Sequence, residues 1–101
     1  MAVTSKALFR GAATTTLTTT LYTVPSATTA IVTNIVVTNT GSFAYTFDLA
    51  LNGTKLAAST AIAANSIATF DIKQVLDATQ TIQGGASNTA VTFHISGVEV
   101  A

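Results

Sequence analysis

The sequence predicts an all-β fold, namely a single small β-sandwich that is jelly-roll-like and has about eight short, mostly antiparallel strands. At most one short helical turn is expected. Thr is the most frequent residue, with 21 copies in 101, and Thr, Val and Ile fit a pleated, half-buried surface. Turn residues recur about every eight to twelve positions, which is typical of sandwiches and barrels. The length fits one domain over 1–101, with 1–20 as a possible N-terminal strand or arm.

Eight segments have the composition of strands and are bounded by turn residues. Pro25 ends the second because it fixes φ and removes a backbone donor, and Asn52-Gly53 predicts a type I′ hairpin between the fourth and the fifth. The predicted strands are 3–10, 18–24, 30–39, 44–51, 54–59, 66–72, 80–84 and 90–100.

Two strands alternate clearly between apolar and polar residues. In the fourth strand, Tyr45, Phe47 and Leu49 share one face, because successive side chains of a strand point to opposite faces. The last strand begins in the same way. Its alternation then changes phase before Val98 and Val100.

A bulge at Gly97 would account for this change of phase.

The third strand has apolar residues on both faces. Val32 and Val36 lie opposite Ile31 and Ile35, which predicts a strand buried on both sides. Only one face of a sandwich strand meets the core. The second face is therefore expected to meet a loop, the N-terminal arm or a neighbouring subunit.

Two segments are less regular. Residues 71–78 suit one or two helical turns, with Asp71 as N-cap and with Val75 and Leu76 packed inward; a short crossover is the interpretation preferred for them. Residues 12–20 are of low complexity, with Leu17 as their large apolar side chain. They are interpreted as a loop, and an arm that adds a strand to a neighbour is the alternative.

Charge is scarce throughout the chain. Charged residues make up 8% of it and the formal net charge is zero, against about 25% charged residues in an ordinary domain. Soluble monomers need charged, patch-free surfaces, so we expect much of this surface to be covered by other protein. The apolar pattern nominates five residues for that interface: Leu17, Val32, Val36, Val98 and Val100.

No chemical motif emerges, so catalytic residues, metal ligands and cofactors are not expected. The chain lacks Cys, His94 is its only histidine, no Gly-x-Ser-x-Gly motif occurs and the acids are scattered. The four basic residues form no cluster for nucleic acid, and no apolar run is long enough to cross a membrane. The N-terminus does not resemble a signal peptide, so synthesis in the host cytoplasm is expected.

Residues 21–42, LYTVPSATTAIVTNIVVTNTGS, resemble a segment of small tailed-bacteriophage virion proteins. In those proteins LYTVP is followed by a Thr-rich turn and a V-x-x-I-x-V-x-N-T strand. Segments 47–53, 62–65 and 93–100 continue the resemblance. It implies a β-sandwich structural protein located in the virion, and it carries over no functional residues.

Three functional hypotheses follow. The leading one is a capsid decoration or cement protein that forms a homo-oligomer, with a trimer around a symmetry axis as one arrangement, and that contacts the major capsid protein. The second is a component of the neck, tail or tail tip. The third is a module that binds a host surface or a carbohydrate, which rests on analogy of fold alone.

Overall fold

The computed structural model describes residues 2–101, which form β-strands and no helix. The predicted all-β fold is confirmed, because the strands make two antiparallel sheets. The predicted strand bounds differ from the observed ones by at most three residues. The observed strands are β1 Val3–Ala12, β2 Thr19–Thr23, β3 Thr29–Asn39, β4 Tyr45–Leu51, β5 Thr54–Ile62, β6 Ser66–Phe70, β7 Gln74–Leu76, β8 Thr81–Ala86 and β9 Val91–Val100.

The chain crosses repeatedly between the two sheets. One is a five-stranded sheet with the order β1-β9-β3-β6, in which β7 also pairs with β3. The other is a four-stranded sheet with the order β2-β8-β4-β5. The first strand of the chain therefore lies beside the last one, and β2 lies beside β8. The predicted hairpin between β4 and β5 is confirmed, since Asn52 and Gly53 have φ values of 49° and 83°.

Apolar side chains from the facing surfaces of both sheets form the core. Phe47 of β4 meets Phe93 of β9 edge to face, with ring centroids 6.3 Å apart, and it meets Phe70 of β6 at 6.2 Å. Such T-shaped aromatic pairs are favourable beyond the apolar area they bury. The other large side chains that are fully buried are Val24, Val32, Ile35, Val37, Leu49, Leu76, Ile82, Val91 and Ile95.

Because of two bulges, the observed faces of β3 and β9 differ from the predicted ones. The register of β3 with β9 shifts between Val32 and Asn34, so Val32 and Ile35 both point into the core. The prediction that Val32 shares an outward face with Val36 is therefore wrong. β9 keeps its alternation through Gly97, because the extra residues belong to its neighbours β3 and β1.

A side chain at Gly97 would not fit between those neighbours. A Cβ there would clash with the carbonyl oxygen of Ile31 and would lie 3.0 Å from the Leu8 side chain. The predicted irregularity at Gly97 is thus located on the adjacent strands, and Val98 and Val100 follow in phase with the outward-facing residues of β9.

Residues 71–78 contain no helical turn, the possibility considered beside the preferred short crossover. Gln74–Leu76 instead form β7, whose Leu76 pairs with Ala30 and whose Val75 pairs with Ile31. β6 pairs only with the second half of β3, so β7 supplies the backbone partners that the first half requires. The alternation of a strand explains why Leu76 is buried whereas Val75 is 62% exposed.

Residues 13–18 of the low-complexity segment form a loop between β1 and β2. The backbone N–H of Ala86 donates to the carbonyl of Thr14 over 2.9 Å, and the loop crosses Gly85 so closely that a Cβ there would clash with Thr16. Residues 13–18 are therefore packed on the four-stranded sheet of their own chain.

Asn39 is a buried polar group that ties two loops together. Its side-chain amide donates to the carbonyls of Phe43 at 2.8 Å and Ala63 at 3.2 Å, and its Oδ1 accepts from the N–H of Gly41 at 2.9 Å. A third acceptor, the carbonyl of Ile62, lies 3.4 Å away. One side chain thus satisfies backbone groups that would otherwise be costly to bury.

We expect Asn39→Ala to lower the free energy of unfolding by about 2 kcal/mol, because it leaves buried carbonyls without a donor. Asn34→Ala is the matched control, since Asn34 lies on the outward side of the same strand; a change within about 0.5 kcal/mol is expected there. Urea denaturation followed by circular dichroism measures both. Equal effects of the two substitutions would contradict the role given to Asn39.

Candidate interface on the outer face of the five-stranded sheet

The side of the five-stranded sheet that points away from the core carries a continuous apolar patch. The register places Val3 beside Val100, Val98 beside Ile31, and Ile31 beside Val75. Side chains directly opposite each other on neighbouring strands have Cβ atoms about 5 Å apart. These five residues, here called the outer patch, therefore form one surface across four strands.

The outer patch is open to solvent at both of its sides. Val3 is 67% exposed and Val75 is 62% exposed, whereas Ile31, Val98 and Val100 between them are half-buried. Ile67 of β6 is 63% exposed on the same face. Monomeric soluble proteins rarely expose contiguous apolar surface unless it is a binding site.

Charge is nearly absent from this face. Within residues 2–101, the register puts Arg10 and His94 there as the titratable groups, and these two residues are cross-strand neighbours. The strand pairings place no acidic side chain on this face, and Asp71 follows the end of β6 at its edge. The face is therefore apolar around Val3 and Val100, and Arg10 places a positive charge at its β1 edge.

The structure brings together three of the five predicted interface residues. Val36, Val98 and Val100 lie on the outer face. Val32 is fully buried in the core, so it cannot contact another subunit. Leu17 is 39% exposed, in the loop over the four-stranded sheet. Contact of Leu17, Val36, Val98 or Val100 with a partner stays a prediction.

Sequence reasoning missed the outward positions of Val3, Ile31 and Val75. The apolar run at residues 30–32 carried a usable signal, since a strand that keeps strict alternation cannot bury both Val32 and Ile35. Neither Val75 nor Val3 had such a signal, because their exposure depends on which strands become neighbours.

Two of the acids are used inside the molecule. Asp48 accepts from Lys55 Nζ at 2.7 Å and from the backbone N–H of Ser59 at 3.0 Å. Ser59, with a φ of 45°, belongs to an irregular part of β5 where the register shifts opposite Asp48. The Lys55 hydrogen bond holds the pKa of the Asp48 carboxyl below its usual value, and the Ser59 N–H acts in the same direction.

Glu99 is the second internal acid. The Tyr22 hydroxyl donates to its Oε2, and Lys6 Nζ lies 3.4 Å from it. The Tyr22 hydrogen bond is the main reason why the pKa of Glu99 is lowered. Burial, assisted by the neighbouring carboxylate, raises the pKa of Tyr22. Tyr22 therefore acts as a neutral donor that joins β2 to β9 across the sandwich.

No arrangement for catalysis or metal binding is found in the described part of the chain. His94 is flanked across the strands by Arg10 and Val36 rather than by a serine or an acid. No group of three metal-ligating side chains occurs within residues 2–101. The same residues include no helix that is long and apolar enough to cross a membrane.

Three concave features lie on the surface, and one of about 330 Å³ is lined by residues 38–40 and 65–67. A groove of about 320 Å³ runs between the β4–β5 hairpin and β7; the side chains that line it include Lys55, Gln74 and Gln80 but no aromatic ring. A smaller apolar crevice of about 90 Å³ opens between Leu56 and Phe70, where the edges of the two sheets meet.

The chain matches no protein-family model, and no curated protein matches it at a significant level. Among solved structures, it is similar to a pentameric capsid protein isolated from metagenomic phage sequences, with a TM-score of 0.39 and 18% identity over 96% of this chain. A second structure of a protein with that description, solved by iodide phasing, gives the same values. This chain spans 57% and 58% of those two chains, respectively.

A third similar structure is the CBM35 of Paenibacillus barcinonensis. Its TM-score is 0.39 and its identity is 11%, and the match covers 100% of this chain and 90% of that one.

Val32 and Val36 allow folding to be separated from surface contacts. We expect Val32→Ala to lower the free energy of unfolding by about 2 kcal/mol, because it leaves a cavity in the core. Val36→Ala is the matched control at a half-buried outward site, with an expected loss below about 1 kcal/mol. Urea denaturation of both variants checks this. A larger loss for Val36→Ala would contradict the assigned faces.

Acid should destabilise the fold through Asp48 and Glu99. Both have folded-state pKa values below their ordinary ones of 3.8 and 4.5. Their stabilising contribution is therefore present above those ordinary values and is lost as the pH falls through the lowered ones. The free energy of unfolding should change little between about pH 7 and pH 5 and should decrease below about pH 4.

The substitution Asp48→Asn separates the two acids. It should cost about 1–3 kcal/mol near neutral pH, because the charge-assisted bond from Lys55 is lost, and it should make the decrease in acid shallower. Denaturation curves at several pH values measure both effects. A variant that loses stability in acid as steeply as the parent would show that Asp48 does not contribute.

Proposed function

We propose that this chain is a non-enzymatic structural protein of a tailed-phage virion and that it acts as a capsid decoration, or cement, protein. The outer patch is the observation that carries the proposal. Val3 and Val75 are mostly exposed on a face where the strand pairings place no acid. In this proposal the outer face packs on another virion protein, the major capsid protein, and the chain also contacts copies of itself.

The strand order supports the proposal. We infer that the paths β1-β9-β3-β6 and β2-β8-β4-β5 are those of a double-sheet jelly roll, an architecture used by viral capsid domains and also by lectins. Because one fold hosts many functions, the architecture alone does not separate these two uses. The resemblance of residues 21–42 to virion proteins favours the first use.

The mechanism in this proposal is passive stabilisation. Apolar area that is removed from water contributes about 25 cal/mol per Å² before the costs of association are subtracted. A patch of five aliphatic side chains gives only a modest affinity by itself. Many copies that are bound to one shell act together, so weak individual contacts add up to a substantial reinforcement.

The polar groove does not favour the carbohydrate-binding alternative. Sugar sites commonly present aromatic rings for stacking, and the groove between the β4–β5 hairpin and β7 has none among its lining side chains. The neck or tail alternative uses the same surface in fewer copies, so the number of copies per particle distinguishes it.

The deciding experiment counts this protein in purified virions of the phage that encodes it, by quantitative mass spectrometry relative to the major capsid protein. A ratio near that of the capsid protein supports decoration. A handful of copies per particle would instead indicate a neck or tail component. Absence from the particle would overturn the virion proposal altogether.

We expect Val98→Glu to reduce incorporation into particles by about tenfold or more, because it places a charge in the middle of the outer patch. Thr20→Glu is the matched control, since Thr20 is exposed on the four-stranded sheet, and it should be incorporated normally. Particles grown with each variant are compared by mass spectrometry after folding has been verified by circular dichroism. Equal incorporation of the two variants would exclude the outer patch as the contact.

A further inference from the structure

The two edges of the five-stranded sheet have complementary character. One edge is β1, which pairs only with β9; the other consists of β6 and β7, which pair only with β3. At each edge the outermost strand has a neighbouring strand on one side only, within the described residues. An unpaired edge offers backbone donors and acceptors to another chain.

The charges of the two edges differ in sign. The β1 edge carries Lys6 and Arg10, and Arg10 forms no ion pair within residues 2–101. The opposite edge and the turn that follows it carry Asp71, Lys73 and Asp77. One edge is therefore positive and the other is negative on balance.

Exposed apolar side chains accompany these charges. Val3 lies at the β1 edge and is 67% exposed, and Ile67 and Val75 lie at the other edge with 63% and 62% exposure. Each edge thus combines an apolar surface with a net charge, positive at the β1 edge and negative at the β6–β7 edge. Each edge therefore complements the opposite edge of a second copy better than it complements the same edge of that copy.

The directions of the strands agree with such a contact. Successive strands in the order β1-β9-β3-β6 are antiparallel, so β1 and β6 run in opposite directions. A copy placed beside the first one in the same orientation would bring β6 against β1 in antiparallel orientation. This is the geometry in which unpaired edges hydrogen-bond.

The register also brings the opposite charges to similar positions along the strand direction. Arg10, His94, Val36 and Thr69 form one row across the sheet. Asp71 follows Thr69 by two residues, which is about 7 Å at 3.4 Å per residue. The Asp71 carboxylate is 85% exposed and lies 3.6 Å from Lys73 Nζ in an exposed ion pair within its own chain. In a side-by-side copy it would also be within reach of an extended Arg10 side chain.

We propose that copies of this chain associate edge to edge, with the β1 edge of one copy against the β6–β7 edge of the next and with Arg10 facing Asp71 of that copy. The contact is heterologous, since it uses different surfaces on the two copies, so it produces a closed ring or an open ribbon rather than a symmetric dimer. This inference deepens the self-association in the proposed function and rests on it.

A charge exchange tests the contact on the purified full-length chain by analytical ultracentrifugation. The parent should form assemblies larger than a dimer, and Arg10→Glu or Asp71→Arg alone should raise the dissociation constant by about threefold to tenfold. The double variant Arg10→Glu with Asp71→Arg should regain most of the lost affinity, because the pair is restored with its charges exchanged.

The control is Thr89→Glu in the exposed turn between β8 and β9, which should assemble as the parent does. Retained denaturation midpoints show that the variants fold. Single variants that assemble normally, or a double variant without recovery, would overturn the inference. A parent that stays monomeric at all concentrations would also overturn it, whereas the copy number in virions would still decide the proposed function separately.

Discussion

The crowding around Gly97 determines which side chains of the five-stranded sheet face the core. A Cβ at that position would meet the carbonyl of Ile31 and the side chain of Leu8. The strands on both sides of Gly97 each carry one extra residue at this level. The bulge in β3 allows Val32 and Ile35 to be buried together, and the bulge in β1 adds Leu8 to the core. Ile31 is consequently directed outward, on the face where the regular alternation of β9 places Val98 and Val100.

Several of the few charged side chains form contacts within the chain, so few charged groups remain free on the surface. Asp48 binds Lys55 and the backbone of Ser59, and Glu99 receives the Tyr22 hydroxyl and lies near Lys6. These bonds stabilise local irregularities and connect the sheets. These contacts use two of the four acids and two of the four cations. Asp71 and Lys73 form a further, exposed pair at 3.6 Å, which leaves Arg10 and Asp77 without an ion pair within residues 2–101.

Sequence reasoning predicted the architecture well, because alternation and turn chemistry are local signals. The Asn52-Gly53 hairpin and the inward face of Phe47 follow directly from neighbouring residues. The bulge near Val32 was not predicted because it depends on the approach of β9 to β3. The strand β7 was interpreted as part of a short crossover because its pairing with Ala30–Val32 is a long-range property. For the same reason the sequence predicted Val98 and Val100 as interface residues but not Val3 or Val75.

The distribution of polar groups explains how a surface so poor in charge can be specific. An apolar face without charge would associate in many registers, since hydrophobic attraction is non-directional. The few charges that remain on this molecule lie at the two edges of the same sheet that exposes the outer patch. Charges in such positions add little affinity, but they fix register and disfavour wrong pairings. In the proposed assembly the apolar face would therefore provide most of the binding free energy, and Arg10 with Asp71 would select the geometry in which it is used.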